Sequence, residues 1–251
     1  MKITEYPQHD FFGNKLDMIR FESTQKSTKE LLFLPGTTEM GIGDGSQLSE
    51  LYKYGIPKFA SQGHEYGYNI TAIQPNAKYY GIHNAILPWM QMEHNPSAII
   101  PIGISLGAIE VLDLLTADKY KLIKAVVSLS GKPSASKGID EVLTRMEAVP
   151  GYAYHGTSDT VVVFDQAKKF YEAYNKKFNP DGTLPVGFVM DFRSGVGHSG
   201  WDDAMKVGGF LDQWITDKFG DEPLSDLYEV GKLDGLKASR DLINQQINSM
   251  Q

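Results

Sequence analysis

The stretch that decides the fold is Gly103-Ile104-Ser105-Leu106-Gly107, which has the form G-x-S-x-G. An apolar run over residues 98–102 precedes it, and a run typical of a helix over residues 108–115 follows it. A strand, a tight turn and a helix form the context in which this pattern is informative, because a sharp turn needs small flanking residues. We therefore expect Ser105 to project from the end of a strand, with its hydroxyl exposed at the N-terminus of a helix.

The pattern alone is weak evidence, because about one chain in ten of this size matches it by chance. A serine in a glycine-rich turn with no chemical role is the alternative interpretation. A serine nucleophile needs a base to take its proton, and the base needs an acid to orient it. Asp159 follows the strand-like run 149–154, and His198 follows the strand-like run 186–192. The chain order Ser105, Asp159, His198, each just beyond a predicted strand, favours a catalytic triad.

Other interpretations of these residues remain open. Asp159 could be a turn-forming residue, and His198 could be an ordinary loop histidine. Asp165 and Asp202 are rival acids, although Asp202 is too close in sequence to His198 to approach its ring from behind. Asp165 lies at or inside the next predicted helix. His155 precedes a glycine at a strand end, which favours a loop-orienting residue over the base.

Two further motifs link the chain to a known family. His155-Gly156-Thr157-Ser158-Asp159 continues to Val162, giving H-G-x-x-D-x-x-V, and Gly197-His198 continues to Trp201, giving G-H-x-x-W. With G-x-S-x-G, they make residues 28–219 resemble α/β-hydrolase-fold serine esterases of the dienelactone hydrolase and polyester depolymerase kind. The resemblance implies an α/β fold, with a doubly wound, mostly parallel sheet and helices on both faces.

An esterase also needs N–H donors for the oxyanion that forms during catalysis. We expect one from the backbone of Leu106, the residue after the serine. The second should come from the loop that follows the predicted strand 31–34. In this loop Pro35 stands where the familiar H-G-G-G pattern often has a histidine, so Gly36, Thr37 and Thr38 are the candidates.

The predicted site is open. The interval between Ser105 and Asp159 is nearly filled by a strand, a helix and their loops, and only residues 131–140 could form a short insertion. No large cap domain is therefore expected. An open site suits a small-molecule ester or an ester group on a polymer. Three aromatic residues could line the pocket: Trp201, Trp89 and Tyr80.

Composition excludes several classes of function. The chain has 251 residues, a formal net charge of −7 and no cysteine. The absence of a basic run argues against nucleic-acid binding, and the absence of cysteine excludes thiolate chemistry. No stretch approaches the roughly 18 apolar residues that a membrane span needs. The first residues lack the apolar core of a signal peptide, so we expect a cytoplasmic protein. The sequence contains no H-E-x-x-H, P-loop or dinucleotide-binding glycine pattern, so we expect no metal or other cofactor.

The chain is predicted to contain one catalytic domain, residues 1–220, whose residues 1–30 form an edge hairpin. Residues 202–219 are amphipathic and predict a helix. A break at residues 221–223 then separates a C-terminal accessory helical segment, residues 221–251. This segment could fold back on the body, or it could mediate assembly into a homo-oligomer.

Together these patterns predict a cofactor-independent serine hydrolase that cleaves carboxylic esters through an acyl-enzyme intermediate. The same triad could instead serve a serine peptidase or a polysaccharide deacetylase. A non-catalytic binding or structural protein on a hydrolase fold is the alternative from another class, because fold does not imply function.

Overall fold

The computed structural model describes residues 1–11, 14–41, 44–75, 83–118, 121–134, 138–146, 148–183 and 186–219. The predicted accessory segment 221–251 and the candidate pocket residue Tyr80 lie outside the described residues. The domain boundary at residue 220 therefore stays a prediction.

The described residues form one eight-stranded sheet with helices around it. The strands are β1 (Lys2–Phe11), β2 (Asn14–Glu22), β3 (Lys29–Leu34), β4 (Asn69–Gln74), β5 (Ala98–Ile104), β6 (Val126–Leu129), β7 (Pro150–Gly156) and β8 (Gly187–Arg193). The helices are α1 (Gly55–Ser61), α2 (His83–Glu93), α3 (Leu106–Leu114), α4 (Ile139–Arg145), α5 (Phe164–Phe178), α6 (Trp201–Ala204) and α7 (Phe210–Phe219). Short 3₁₀ turns occur at Thr37–Glu39 and Leu48–Tyr52.

The strand order is β1-β2-β4-β3-β5-β6-β7-β8. Strands β3 to β8 run parallel, whereas β1 and β2 form an antiparallel pair at one edge of the sheet. The expected α/β fold with a mostly parallel sheet is confirmed. Because parallel strands end at the same edge of a sheet, the loops after β3, β5, β7 and β8 lie together there.

Two apolar layers cover the two faces of the sheet. Along β3 the side chains alternate, with Leu32 and Leu34 in one layer and Leu31 and Phe33 in the other. This alternation is the period of two that a strand imposes, and both sets are apolar because both faces of the strand are buried. Helices α2 and α5 contribute to the first layer, and α1 and α7 to the second. The expected helices on both faces are confirmed.

The expectation of one helix over residues 202–219 is wrong. The segment forms α6 and α7, with a turn between them in which Gly208 has a φ of 70° and the N–H of Gly209 bonds to the carbonyl of Lys206. Two adjacent glycines favour such a turn, because glycine adopts a positive φ without a steric penalty. The short α6 leaves Trp201 beside the loop that carries His198.

The described part of the interval between β6 and β7 contains one helix, α4, and no cap domain. No helix in the described ranges has the length and apolar character needed to cross a membrane.

Candidate active site

Ser105 occupies a strained turn between β5 and α3, with φ 53° and ψ −111°. A residue with a β-carbon rarely adopts such a positive φ. The Ser105 N–H donates to the carbonyl of Leu129, on the neighbouring strand, at 2.8 Å, and this bond holds the turn. The flanking residues must be glycine because the neighbouring backbone leaves no room for a β-carbon. A β-carbon on Gly103 would overlap the carbonyl of Gly107, and one on Gly107 would overlap the carbonyl of Leu34. The G-x-S-x-G pattern thus reflects close backbone packing on both sides of the serine.

The structure brings Ser105, His198 and Asp159 together in one hydrogen-bonded row. His198 Nε2 lies 2.8 Å from Ser105 Oγ, and His198 Nδ1 lies 2.7 Å from Asp159 Oδ2. Because a carboxylate only accepts, Nδ1 carries the hydrogen and Nε2 presents its lone pair to the serine hydroxyl. Such a row can transfer a proton from a serine to an imidazole.

The carboxylate of Asp159 is buried and fixed by the main chain. Its Oδ1 accepts the N–H groups of Val161 at 2.9 Å and Val162 at 3.0 Å, while its own N–H donates to the carbonyl of Gly156. Only 4% of the residue is exposed. The orientation of Oδ2 toward His198 is therefore set by the turn that follows β7.

The rival acids lie elsewhere. Asp165 is exposed in the first turn of α5. Asp202 forms an ion pair with Lys58 and accepts the N–H of Gly55 at 2.8 Å. Asp202 therefore ties α6 to the start of α1, and Asp159 is the acid that faces His198.

The loop after β3 lies beside the serine. The N–H of Gly107 donates to the carbonyl of Pro35 at 3.1 Å, which joins the loop to α3. A β-carbon on Gly36 would lie 3.6 Å from Ser105 Cβ. The loop thus lies in van der Waals contact range of Ser105, on the side where its N–H groups could bind an oxyanion.

Three backbone N–H groups are available near this loop. Within the described part of the chain, those of Leu106, Thr37 and Thr38 have no acceptor, and both threonines are exposed. The N–H of Leu106 also lies at the N-terminus of α3, where the helix dipole favours an anion. Which threonine supplies the second donor stays a prediction.

Sequence analysis missed a buried carboxylate under the same loop. Glu39 is 3% exposed, and its Oε2 lies 3.0 Å from the point where a β-carbon on Gly36 would be. Thr38 Oγ1 donates to Glu39 Oε1, and Gln74 Nε2 donates to the Glu39 carbonyl at 2.9 Å. A glutamate in a short polar loop gives no sequence signal of burial. Glu39 packs against the loop, and its Oε2 would be in tight contact with any side chain at position 36.

Trp201 lies beside the candidate base, as the sequence suggested for a pocket residue. Its ring meets the ring of His198 edge-on at 5.1 Å, and its Nε1–H donates to Ser130 Oγ at 3.0 Å. Ser130 is fully buried and has a φ of 58°. Sequence analysis did not select Ser130, although it directly follows β6, the strand beside β5. Ser130 therefore sets the orientation of the indole against the imidazole.

A tyrosine holds the loop that carries His198. Tyr154 of β7 donates its hydroxyl hydrogen to the Ser199 carbonyl at 3.1 Å, and burial raises the pKa of this phenol. A β-carbon on Gly200, where φ is 87°, would overlap the Tyr154 hydroxyl. The close approach of the loop to Tyr154 thus depends on the glycine.

Trp89 does not reach the site, which corrects the expectation that it lines the pocket. Its ring is 3% exposed and packs edge-on against the rings of His9 and His94, at 5.5 and 5.0 Å. His9 lies on β1, which is four strands from β5 in the sheet. Neighbouring strands are about 4.8 Å apart, so the indole lies under the antiparallel edge. Helix α2 uses it as a core residue.

No group of three or more histidine, cysteine, aspartate or glutamate side chains in the described ranges could hold a metal ion. The candidate site consists of a serine, a histidine, an aspartate and backbone N–H groups.

Comparisons with known proteins place this chain in a family. The model of the phospholipase/carboxylesterase family matches residues 71–215, more than half of the chain, and no curated protein matches. Acetyl xylan esterase from Aspergillus awamori is structurally similar, with a TM-score of 0.62 at 13% identity, over 87% of this chain and 99% of that one.

Two further solved structures show the same fold. Esterase PE8 has a TM-score of 0.58 at 15% identity, over 81% of this chain and 99% of that one. Zea mays acyl-protein thioesterase 2 has a TM-score of 0.55 at 14% identity, over the same shares. The expected α/β-hydrolase fold is confirmed, and the family match supports ester hydrolysis. The chain belongs to the phospholipase/carboxylesterase family.

Proposed function

We propose that this chain is a serine esterase that cleaves carboxylic esters through an acyl-enzyme intermediate. The observation that supports the proposal most directly is the position of His198, with Nε2 2.8 Å from Ser105 Oγ and Nδ1 2.7 Å from Asp159 Oδ2. Nucleophile, base and orienting acid are thus within hydrogen-bond distance, which is the geometric requirement for this chemistry.

In the first half of the reaction, Ser105 Oγ attacks the ester carbonyl while its proton passes to His198 Nε2. The charge that develops on the carbonyl oxygen is bound by the N–H of Leu106 and by a second N–H from the loop that contains Thr37 and Thr38. Donors aimed at such an oxygen typically contribute about 3–4 kcal/mol each to the transition state. Asp159 stabilises the imidazolium that forms.

In the second half, the tetrahedral intermediate collapses and the alcohol leaves with the proton of His198. Water then attacks the acyl carbon on Ser105 and passes a proton to the same nitrogen. The second tetrahedral intermediate collapses as that proton moves to Ser105 Oγ, and the acid departs. Each step moves one proton between His198 Nε2 and a reacting oxygen. Apart from the attacking water, this sequence of steps uses only side chains and backbone groups of the chain.

The substrate is an ester small enough to diffuse freely, or an ester group displayed on a polymer. The described part of the interval between β6 and β7 supports this, because it adds only α4. Trp201, whose indole is held by Ser130, lies beside His198 and is the residue we expect the substrate to contact.

Covalent labelling with a fluorophosphonate tests the proposal, since the reagent modifies an activated serine. Parent enzyme should be labelled and should hydrolyse p-nitrophenyl esters, and a chain-length series then defines the acyl preference. Ser105→Ala should abolish labelling and lower kcat by about four to six orders of magnitude. Unlabelled parent protein would favour a non-catalytic role. Peptide or acetylated polysaccharide cleaved faster than any simple ester would redirect the proposal to those substrates.

A further inference from the structure

Beside the candidate acid lies a second histidine that the proposed reaction does not use. His155 is the penultimate residue of β7, is fully buried and contacts the ring of Phe164 at 5.8 Å between centroids. Its Nε2 lies 2.8 Å from the carbonyl oxygen of Val162 and 3.3 Å from Asp159 Oδ2. A buried titratable ring at this distance from a triad carboxylate needs a physical explanation.

The two neighbours of Nε2 determine the state of the ring. A carbonyl and a carboxylate both only accept, so Nε2 carries the hydrogen. Nδ1 then holds a lone pair, and within the described residues it has no partner. Burial lowers the pKa of His155, which keeps the ring neutral. His155 thus presents a neutral ring to Asp159 and not a positive charge.

The Val162 carbonyl that His155 holds belongs to the same turn that holds Asp159. The N–H of Val162 donates to Asp159 Oδ1 at 3.0 Å, and the N–H of Phe164 approaches the Asp159 carbonyl at 3.4 Å. Because His155 holds the carbonyl of Val162, it also restrains the N–H of the same residue, which orients the Asp159 carboxylate.

We propose that His155 is a positioning residue for ester hydrolysis: its Nε2–H, donated to the Val162 carbonyl, fixes the turn that orients Asp159, and its ring lies against Asp159 Oδ2 and so holds the acid in place for His198. The inference depends on the proposed function, because it gives Asp159 the role of the acid. His155 is fully buried beside the carboxylate, and only its effect on Asp159 links it to the reaction.

The test compares two replacements of similar volume. His155→Gln keeps an N–H near the position of Nε2, whereas His155→Leu removes it and leaves the Val162 carbonyl without a partner. We expect His155→Leu to lower kcat by about 10- to 100-fold with KM within about twofold, and His155→Gln to recover most of the loss. A role in stability alone would not produce this split or this recovery.

A matched control comes from the other end of the same strand. Tyr174 is fully buried and accepts the N–H of Val149 with its hydroxyl, just before β7 begins. Tyr174→Phe also removes a buried hydrogen bond that anchors β7, so it should lower thermal stability while kcat stays at the parental value. Should His155→Leu fail to fold, His155→Asn replaces it, because its shorter amide cannot reach the position of Nε2.

Three results would overturn the inference: parental kcat in the variant that lacks the N–H, an equal loss in His155→Gln, or a loss of the same size in Tyr174→Phe. Ser105→Ala separates this failure from that of the proposed function. Turnover that persists in Ser105→Ala refutes the proposed function. Turnover that is lost in Ser105→Ala but kept in His155→Leu refutes only the role of His155.

Discussion

Replacing Asp159 by asparagine changes one atom and tests the candidate acid directly. Asp159 Oδ1 accepts the N–H groups of Val161 and Val162. Two donors there require an oxygen, so in Asp159→Asn the amide oxygen takes this position and the NH₂ group takes the place of Oδ2. The NH₂ group then faces His198 Nδ1, whose hydrogen the carboxylate now accepts, and lies beside His155 Nε2.

This arrangement would reverse the tautomer of His198. Facing a donor, Nδ1 must present its lone pair, so the hydrogen moves to Nε2 and points at Ser105. A neutral ring in that state cannot accept the serine proton. The same exchange in serine-protease triads costs about 10⁴-fold in kcat, which corresponds to about 5.5 kcal/mol of transition-state stabilisation. The new NH₂ group, buried beside the Nε2–H of His155 without an acceptor there, should also lower the free energy of unfolding by about 1–3 kcal/mol.

The measurement is kcat and KM for p-nitrophenyl esters, with thermal unfolding recorded on the same preparations. Asp165→Asn is the matched control, because Asp165 is exposed on α5 and should tolerate the exchange. Asp159→Asn activity within tenfold of the parent would refute the assignment of the acid. A large loss in Asp165→Asn would show that the wrong aspartate has been chosen.

Two more predictions concern the site, and a third concerns a buried histidine elsewhere in the fold. Gly36→Ala should lower kcat/KM by about 10- to 100-fold, because the new methyl would lie 3.0 Å from the buried Oε2 of Glu39 and must shift the loop beside Ser105, although the φ of −75° suits alanine; parental turnover would show that the loop has room to spare. Trp201→Phe removes the N–H that Ser130 accepts and should lower kcat/KM about tenfold, and esterase kinetics equal to the parent's would contradict this. Burial lowers the pKa of His94 to about 4, so the unfolded chain takes up a proton below about pH 6.5 and the folded chain does not. The free energy of unfolding should therefore fall by about 2 kcal/mol between pH 7 and 4.5, and urea titrations of His94→Gln should show a smaller fall than the parent's.

The positions of Ser105, Asp159 and His198 could be predicted because they depend on strand ends. An apolar run followed by a small or polar loop marks where a parallel strand stops, and parallel strands stop at one edge. The structure places the three residues after β5, β7 and β8, within hydrogen-bond distance of one another. A rule about topology was enough, so no side-chain packing had to be known.

The supporting residues could not be predicted in the same way, because their roles arise from packing between distant segments. Ser130 binds Trp201, which is 71 positions away, and Glu39 is buried by a loop whose sequence looks exposed. The prediction for Trp89 was wrong for a different reason: an aromatic residue on a helix is equally suited to a pocket and to a core. The break after α6 was in principle visible, because Gly208 and Gly209 are adjacent.

The site also explains how a fold can be shared at 13–15% identity. Much of the geometry is set by the main chain: the Ser105 N–H bonds to a strand carbonyl, and Asp159 Oδ1 accepts two peptide N–H groups. Backbone groups are present whatever the side chain, so sequence can diverge around them. Side-chain identity should be restricted where the backbone needs a missing β-carbon, as at Gly107, or where a side chain holds a backbone group, as at His155. Comparing His155→Leu with His155→Gln therefore tests whether one side chain helps to orient Asp159, beyond the orientation that the main-chain N–H groups already give it.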